Sequence, residues 1–270
     1  MEITCEKFLE LLSGYGTAVN SWEYEFIKKY GGGDVFSLEH GCAVVVKDCV
    51  VDGKGNVYVD IYQTSPDADI ALATAEQIEK SKEFFKRYAD INITVTLGVV
   101  SNGPLTEEWD KYHGWRIFAR QGTEYPADPR VRVLTKSDVP DIKELCKPLL
   151  DSSDFFERVE ARNFDSAADR FEEYDDHTFY GFYDAEKLCG IASAKQIADL
   201  EIVQLADILV LSDYRKKGVG KALVQSALGK FPDKKWMYQA ARDNAPSIAL
   251  ANSLGFTLEG ATLMQDVPKE

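Results

Sequence analysis

The apolar positions of this chain change period several times, and the changes mark its elements. Over residues 1–30 they recur at helical spacing. Phe8, Leu9, Leu11 and Leu12 lie near one face, and Trp22, Phe26 and Ile27 continue the stripe after a break at Gly14-Tyr15-Gly16. Gly31-Gly32-Gly33-Asp34 closes this segment as a turn. The period then becomes that of strands. Cys42-Ala43-Val44-Val45-Val46 and Val57-Tyr58-Val59-Asp60-Ile61-Tyr62 flank the turn signal Asp52-Gly53-Lys54-Gly55-Asn56. Pro66-Asp67-Ala68-Asp69 leads into a helix from about 71 to 89. Residues 91–100 read as a strand, 105–113 as a helix, and 114–118 as a short strand. Two prolines, Pro126 and Pro129, mark 122–129 as a linker.

The second half repeats the alternation. Val131-Arg132-Val133-Leu134 is a strand, and Thr135 or Ser137 caps a helix that ends near Leu150. Residues 151–174 form a charged helical stretch carrying Phe155, Phe156, Val159, Phe164 and Phe171, read as core contacts. Strands over 178–183 and 188–196 form a hairpin around Asp184-Ala185-Glu186-Lys187. An apolar strand over 201–211 runs into a basic glycine loop, after which Val219, Ala222, Leu223, Ala227 and Leu228 fall at helical spacing. Trp236-Met237-Tyr238-Gln239-Ala240-Ala241 is a strand. Asn244-Ala245-Pro246 starts a helix that stops at Gly255, and a last strand runs from 256 to about 266. The expected division is an α/β domain over 1–125 and a second over 130–270.

Length and composition narrow the class without naming it. The 270 residues suit two soluble domains. The net charge of −14 argues against nucleic acid as a general partner. No apolar run is long enough to span a membrane, and the first residues lack the pattern of a signal peptide. Five scattered cysteines without a Cys-x-x-Cys pair suit a reduced, cytoplasmic protein. The three histidines, His40, His113 and His177, have no metal-site spacing, so no metal is expected.

The candidate chemistry sits at Ile208-Leu209-Val210-Leu211-Ser212-Asp213-Tyr214-Arg215-Lys216-Lys217-Gly218-Val219-Gly220-Lys221. A strand, a glycine-bearing basic turn and a helix start together make an anion site, because the first helical N–H groups point outward. A Walker loop fails, since Arg215 replaces the first glycine and Ala222 follows Gly220-Lys221. A dinucleotide fingerprint fails at Leu223. An acyl-CoA loop remains.

Arg215-Lys216-Lys217-Gly218-Val219-Gly220, its lead-in Val210 to Arg215, and Asn244-Ala245-Pro246-Ser247-Ile248-Ala249-Leu250 with Leu254-Gly255-Phe256 resemble the signatures of the GNAT superfamily of acyl-CoA-dependent N-acyltransferases. The resemblance covers 131–266. It implies an α/β fold of the α+β type, with a mixed central sheet flanked by helices in the C-terminal half. It implies acetyl-CoA as cosubstrate, held by Leu209 and Val210 along the strand, by Arg215, Lys216, Lys217, Gly218, Val219, Gly220 and Lys221 at the pyrophosphate, and by Asn244 and Ser247 beside the pantetheine arm. It further implies direct attack by the primary amine of a small molecule or peptide. Asp207 is then the candidate base, with Glu201 second. The family's usual tyrosine acid is replaced by Ala251, so Tyr238, Tyr214 or water must stand in. A non-catalytic CoA-binding or sensor module is the alternative. The first half follows the same element order, but Ser65-Pro66-Asp67-Ala68-Asp69 stands where the glycine loop would be. It is read as a degenerate GNAT-like repeat that walls the acceptor cleft, completes a sheet or forms a homodimer, with an unrelated α/β domain as the other reading.

Overall fold

The computed structural model describes residues 1–15, 24, 27–28, 35–51, 54–102 and 113–269. The expectations at Gly16, Trp22 and Phe26, 31–34, 52–53 and 105–112 lie outside them.

Local chemistry explains most elements. Helix α1 (Cys5–Gly14) is capped by Thr4, whose hydroxyl accepts the Lys7 N–H at 3.2 Å, and it buries the i, i+4 pair Phe8 and Leu12. Strands β1 (Val35–Glu39), β2 (Cys42–Val51) and β3 (Lys54–Gln63) follow. Helix α2 (Ile70–Arg87) starts at Asp69, whose carboxylate accepts the Leu72 N–H at 2.9 Å. Strands β4 (Asn92–Asn102), β5 (His113–Gln121) and β6 (Val131–Val133) come next. Thr135 and Asp138 form a capping box ahead of α3 (Val139–Cys146). Asp154 caps α4 (Phe155–Asp169). Then come β7 (His177–Asp184), β8 (Lys187–Ile197), β9 (Ile202–Val210), α5 (Val219–Lys230), β10 (Lys235–Ala241), α6 (Ala245–Ser253) and β11 (Thr257–Asp266).

The chain forms two compact units, Met1–Ile117 with Leu258–Glu270, and Phe118–Thr257. Residues after 257 return to the first unit because β11 pairs antiparallel with β4, from Gly260 opposite Asn102 to Asp266 opposite Thr96. The expected division at 125–130, with 258–270 in the second domain, therefore differs from these units.

In the first unit the strand order is β1-β2-β3-β4-β11. Val57, Val59 and Ile61 alternate inward from β3 and meet Val95, Leu97 and Val99 of β4. The β2–β3 register runs without a shift from Cys42 opposite Gln63 to Val51 opposite Lys54. The parallel β3–β4 ladder is also continuous, from Lys54 opposite Asn92 to Tyr62 opposite Val100.

In the second unit the order is β10-β9-β8-β7-β6. Helices cover both faces, which is why β9 is apolar almost throughout rather than alternating. Leu223, Val224, Ala227 and Leu228 of α5, with Ala251 of α6, close one face. Ile142 and Leu145 of α3 and Ala161 and Phe164 of α4 close the other.

Two irregularities in β9 make the site. Opposite β8, Ser193 faces Asp207 but Ala194 faces Leu205, so Ala206 is an extra residue in a β-bulge. A regular strand would put Asp207 on the same face as Val203 and Leu205. The bulge instead brings Ile208 and Val210 to the α5 face and turns Asp207 and Leu209 toward α4. The second irregularity is on the other edge. The parallel β9–β10 ladder runs only from Ile202 opposite Lys235 to Leu205 opposite Tyr238, although both strands continue. The pair opens at the bulge.

Candidate functional site

The α5 end of the opening leaves backbone donors free. Lys216 and Gly218 both adopt left-handed backbone, with φ 57° and 86°. Such alternation points successive N–H groups to one side. Gly218 is the N-cap of α5, and no side chain caps the helix there. The first amides of α5 thus have neither an intrahelical partner nor a cap. A Cβ at Gly218 would meet nothing within 4 Å, so this corner faces open space. Gly220 lies over Ile208, Val210 and Leu250, and buried Val219 anchors the turn in the core. Lys216, Lys217 and Lys221 are exposed, and Lys217 sits 5.4 Å above the Tyr214 ring.

Arg215, expected at the pyrophosphate, has protein partners here. Its Nη2 pairs with Glu157 Oε1 of α4 at 2.7 Å, and its Nε donates to the Val210 carbonyl at 3.1 Å. It braces the turn against α4 and β9 and occupies a backbone acceptor expected to meet the pantetheine arm. Leu209 points into the α3–α4 core. Asn244 caps α6, its side chain accepting the Ser247 N–H at 3.1 Å, and Ser247 Oγ shares a 2.6 Å hydrogen bond with the Tyr238 hydroxyl. The polar residues of the second signature thus fasten α6 to β10.

Where the strands part, Asp207 and Tyr238, the residues expected to be catalytic, both interact with a carboxyl that the sequence reading missed, Glu160 of α4. Burial, then the charge and hydrogen bond of Asp207, push its carboxyl up to about 9, opposed by the Ile208 N–H that it accepts. Its Oε2 is buried and faces no hydrogen-bond partner among the described residues. With its carboxyl raised to about 9, Glu160 holds its proton at neutral pH. Asp207 also accepts from Asn163 Nδ2 at 2.9 Å and Ser193 Oγ at 3.4 Å. Tyr238 on β10 is fully buried. Burial, with the Glu160 charge acting in the same direction, raises its phenol to about 12 against the Ser247 hydrogen bond.

Glu160 could have been found from the helical period. It lies four residues before Phe164 and one turn further from Ala167, on the stripe that α4 buries. A carboxylate within an apolar stripe is the signal.

Asp207 also lines a cavity of about 210 Å³ on the α4 side of the sheet, with Asn163, Arg170, Tyr174, His177 and Ser193 around it. The remaining candidates sit elsewhere. Glu201 is exposed at the start of β9 and paired with Lys234 at 2.9 Å. Tyr214 donates to Asp184 at 3.0 Å, and Ala251 is fully buried. Of the helix-151–174 phenylalanines, Phe164 and Phe171 pack on Phe179, while Phe155 is exposed. Among the described residues, no cluster of His, Cys, Asp and Glu could hold a metal ion.

The site is thus a bulged strand that parts from its parallel neighbour beside an uncapped glycine helix. Residues 147–256 match the model of the acetyltransferase (GNAT) family. Solved structures share the fold over nearly the whole chain. A GCN5-related N-acetyltransferase from Sphaerobacter thermophilus aligns with a TM-score of 0.55 at 12% identity, covering 96% of this chain and 91% of its own. A tandem GNAT protein from the clavulanic acid biosynthesis pathway aligns at 0.55 and 14%, covering 98% and 95%. A GNAT-family acetyltransferase from Colwellia psychrerythraea aligns at 0.53 and 11%, covering 98% of each chain. No curated protein matches the sequence.

Proposed function

We propose that the second unit transfers an acyl group, acetyl first, from acyl-CoA to a primary amine by direct attack. The observation that carries this reading is the Glu160–Asp207 pair facing Tyr238 where β9 and β10 part. The fit of the cosubstrate rests on the open corner at Gly218, the uncapped α5 amides and the exposed Lys216, Lys217 and Lys221. Val219 and Gly220 belong to the same turn, and Asn244 and Ser247 hold α6 at its edge. Bound there, acyl-CoA supplies a thioester already activated toward amines.

The protein's part is proton handling. Asp207 receives the acceptor's ammonium, whose positive charge favours loss of the Glu160 proton to water. The carboxylate pair then takes one proton from the ammonium, the free amine nitrogen bonds to the carbonyl carbon as the C–S bond breaks, and the nitrogen gives its second surplus proton to water. Tyr238, neutral at physiological pH, donates to the leaving thiolate and regains a proton from water relayed by Ser247. Ala251 takes no part.

The first unit is read as a degenerate repeat without a CoA site, so that 1–125 and 130–270 are two copies of one plan. It serves as a scaffold or as the contact of a homodimer. No helix among the described residues is long and apolar enough to cross a membrane. With its net charge of −14, this suits a cytoplasmic protein that does not bind nucleic acid.

The test is thiol release from acetyl-CoA over a panel of amines, together with the rise in Tm caused by CoA. Release with at least one amine supports transfer. CoA binding with no release on any acceptor would leave a sensor module. No shift with CoA or acetyl-CoA would remove the basis of both readings.

A further inference from the structure

Arg170, exposed at its outer edge, is the arginine that lines the Asp207 cavity. Arg87 has Asp48, Arg130 has Asp128, Arg132 has Asp138 and Arg215 has Glu157. Arg170 closes the C-terminal end of α4 with no such partner among the described residues. Its Nη2 donates to Ser166 Oγ at 3.3 Å, and its guanidinium lies 5.9 Å from the Tyr174 ring centre. Both neighbours line the same cavity as Asp207. His177, also in the wall, is held by Asp176 through Nδ1 at 2.6 Å. The cavity therefore presents one anion and one unpaired cation, with the Phe179 and Tyr174 rings beside them.

A guanidinium is a planar fork of donors that matches a carboxylate in two parallel hydrogen bonds. A volume of about 210 Å³ equals roughly seven water molecules. That is room for a single small molecule and not for a length of peptide.

We propose that the acceptor is a small amino-carboxylate, a free amino acid or a close analogue, with its ammonium on Asp207 and its carboxylate on Arg170. The role of Asp207 rests on the transfer reading above; that of Arg170 does not. A peptide substrate, with its amine remote from any carboxylate, would leave the guanidinium unmatched in the wall.

The experiment compares free amino acids, β-alanine and 4-aminobutyrate included, with their primary amides, which keep the amine and lose the negative charge. Binding is measured by calorimetry on the full chain in the presence of CoA, and kcat/KM by thiol release from acetyl-CoA. The acids are expected to exceed the amides by about tenfold or more, the range of one charge-assisted contact. Arg170→Gln should bring that ratio close to one, and Arg170→Lys should keep part of it, with Tm checked for each. Acids bound in preference to amides, with the preference lost in Arg170→Gln but no thiol released, would support this pocket and overturn transfer. Thiol release with equal kcat/KM for acids and amides would keep transfer and overturn this inference. So would an acid preference that survives in Arg170→Gln, or no binding of either set.

Discussion

The two strand–turn–helix–strand crossovers of this protein share an order and differ at every point that makes a site. In the first unit, β3 leads through Ser65-Pro66-Asp67-Ala68-Asp69 into α2, and β3 pairs with β4 along its whole length. In the second, β9 leads through Arg215–Gly218 into α5, and β9 leaves β10 after Leu205. Asp69 accepts the Leu72 N–H at the start of its own helix, whereas Gly218 has no side chain to do so, and the α5 start stays uncapped. The carboxylates differ too. Asp60 of β3 is neutralised by Lys47 at 3.2 Å and lies over Gly98, while Asp207 of β9 is turned by a bulge toward a second carboxyl. One crossover closes on itself, and the other keeps its polar groups unspent. A helix N-terminus is thus a binding site only when the protein declines to cap it.

The comparison can be broken most sharply at the open corner. Gly218→Glu should remove measurable CoA binding, because it puts a negative side chain on the anion site at a left-handed position. Calorimetry with CoA, against a CD spectrum showing retained fold, checks it; unchanged affinity would remove the loop from the site. Next is Glu160→Gln, expected to lower kcat by about a hundredfold or more, the usual contribution of an acid–base group. It should also abolish the rise of kcat/KM with pH toward about 9.

The same substitution carries a smaller effect on stability. Folding raises the Glu160 carboxyl from 4.5 to about 9, so between these values the folded chain holds a proton that the unfolded chain has released. Its stabilising contribution is complete below about 4.5 and is lost as pH rises through 9. The urea midpoint of the wild type should therefore fall more steeply from pH 5 to 8.5 than that of Glu160→Gln; parallel slopes would contradict the buried proton. Smallest is Asp69→Ala in the closed crossover. It uncaps α2 and should cost about 1 kcal/mol, read as a lower Tm, while leaving CoA binding untouched because β3 and β4 do not part.

Much of the fold was legible in advance. Hairpin β7–β8, strand β9, helix α5 and the Asn244 start of α6 fall where apolar period, glycine and proline place them, because those signals act within a few residues. The glycine turn before α5 was legible for the same reason. Arg215 was not. Its basic charge within the turn suggested a phosphate ligand, but Glu157, distant in sequence, claims it. Asn244 likewise reads as a ligand in a signature and acts as a cap. Glu160 was hidden because its chemistry depends on a strand packed across it rather than on neighbours in sequence.

By itself the sequence determined the order of the elements and the basic glycine turn, since periodicity, capping and left-handed glycine are local properties of the chain. Only the tertiary structure decided the chemistry. The bulge at Ala206 turns Asp207 across the sheet, the end of the β9–β10 ladder exposes the gap, and the burial of α4 against both gives Glu160 a proton to hold at neutral pH. Register and desolvation arise from pairing between distant segments, so no local pattern contains them.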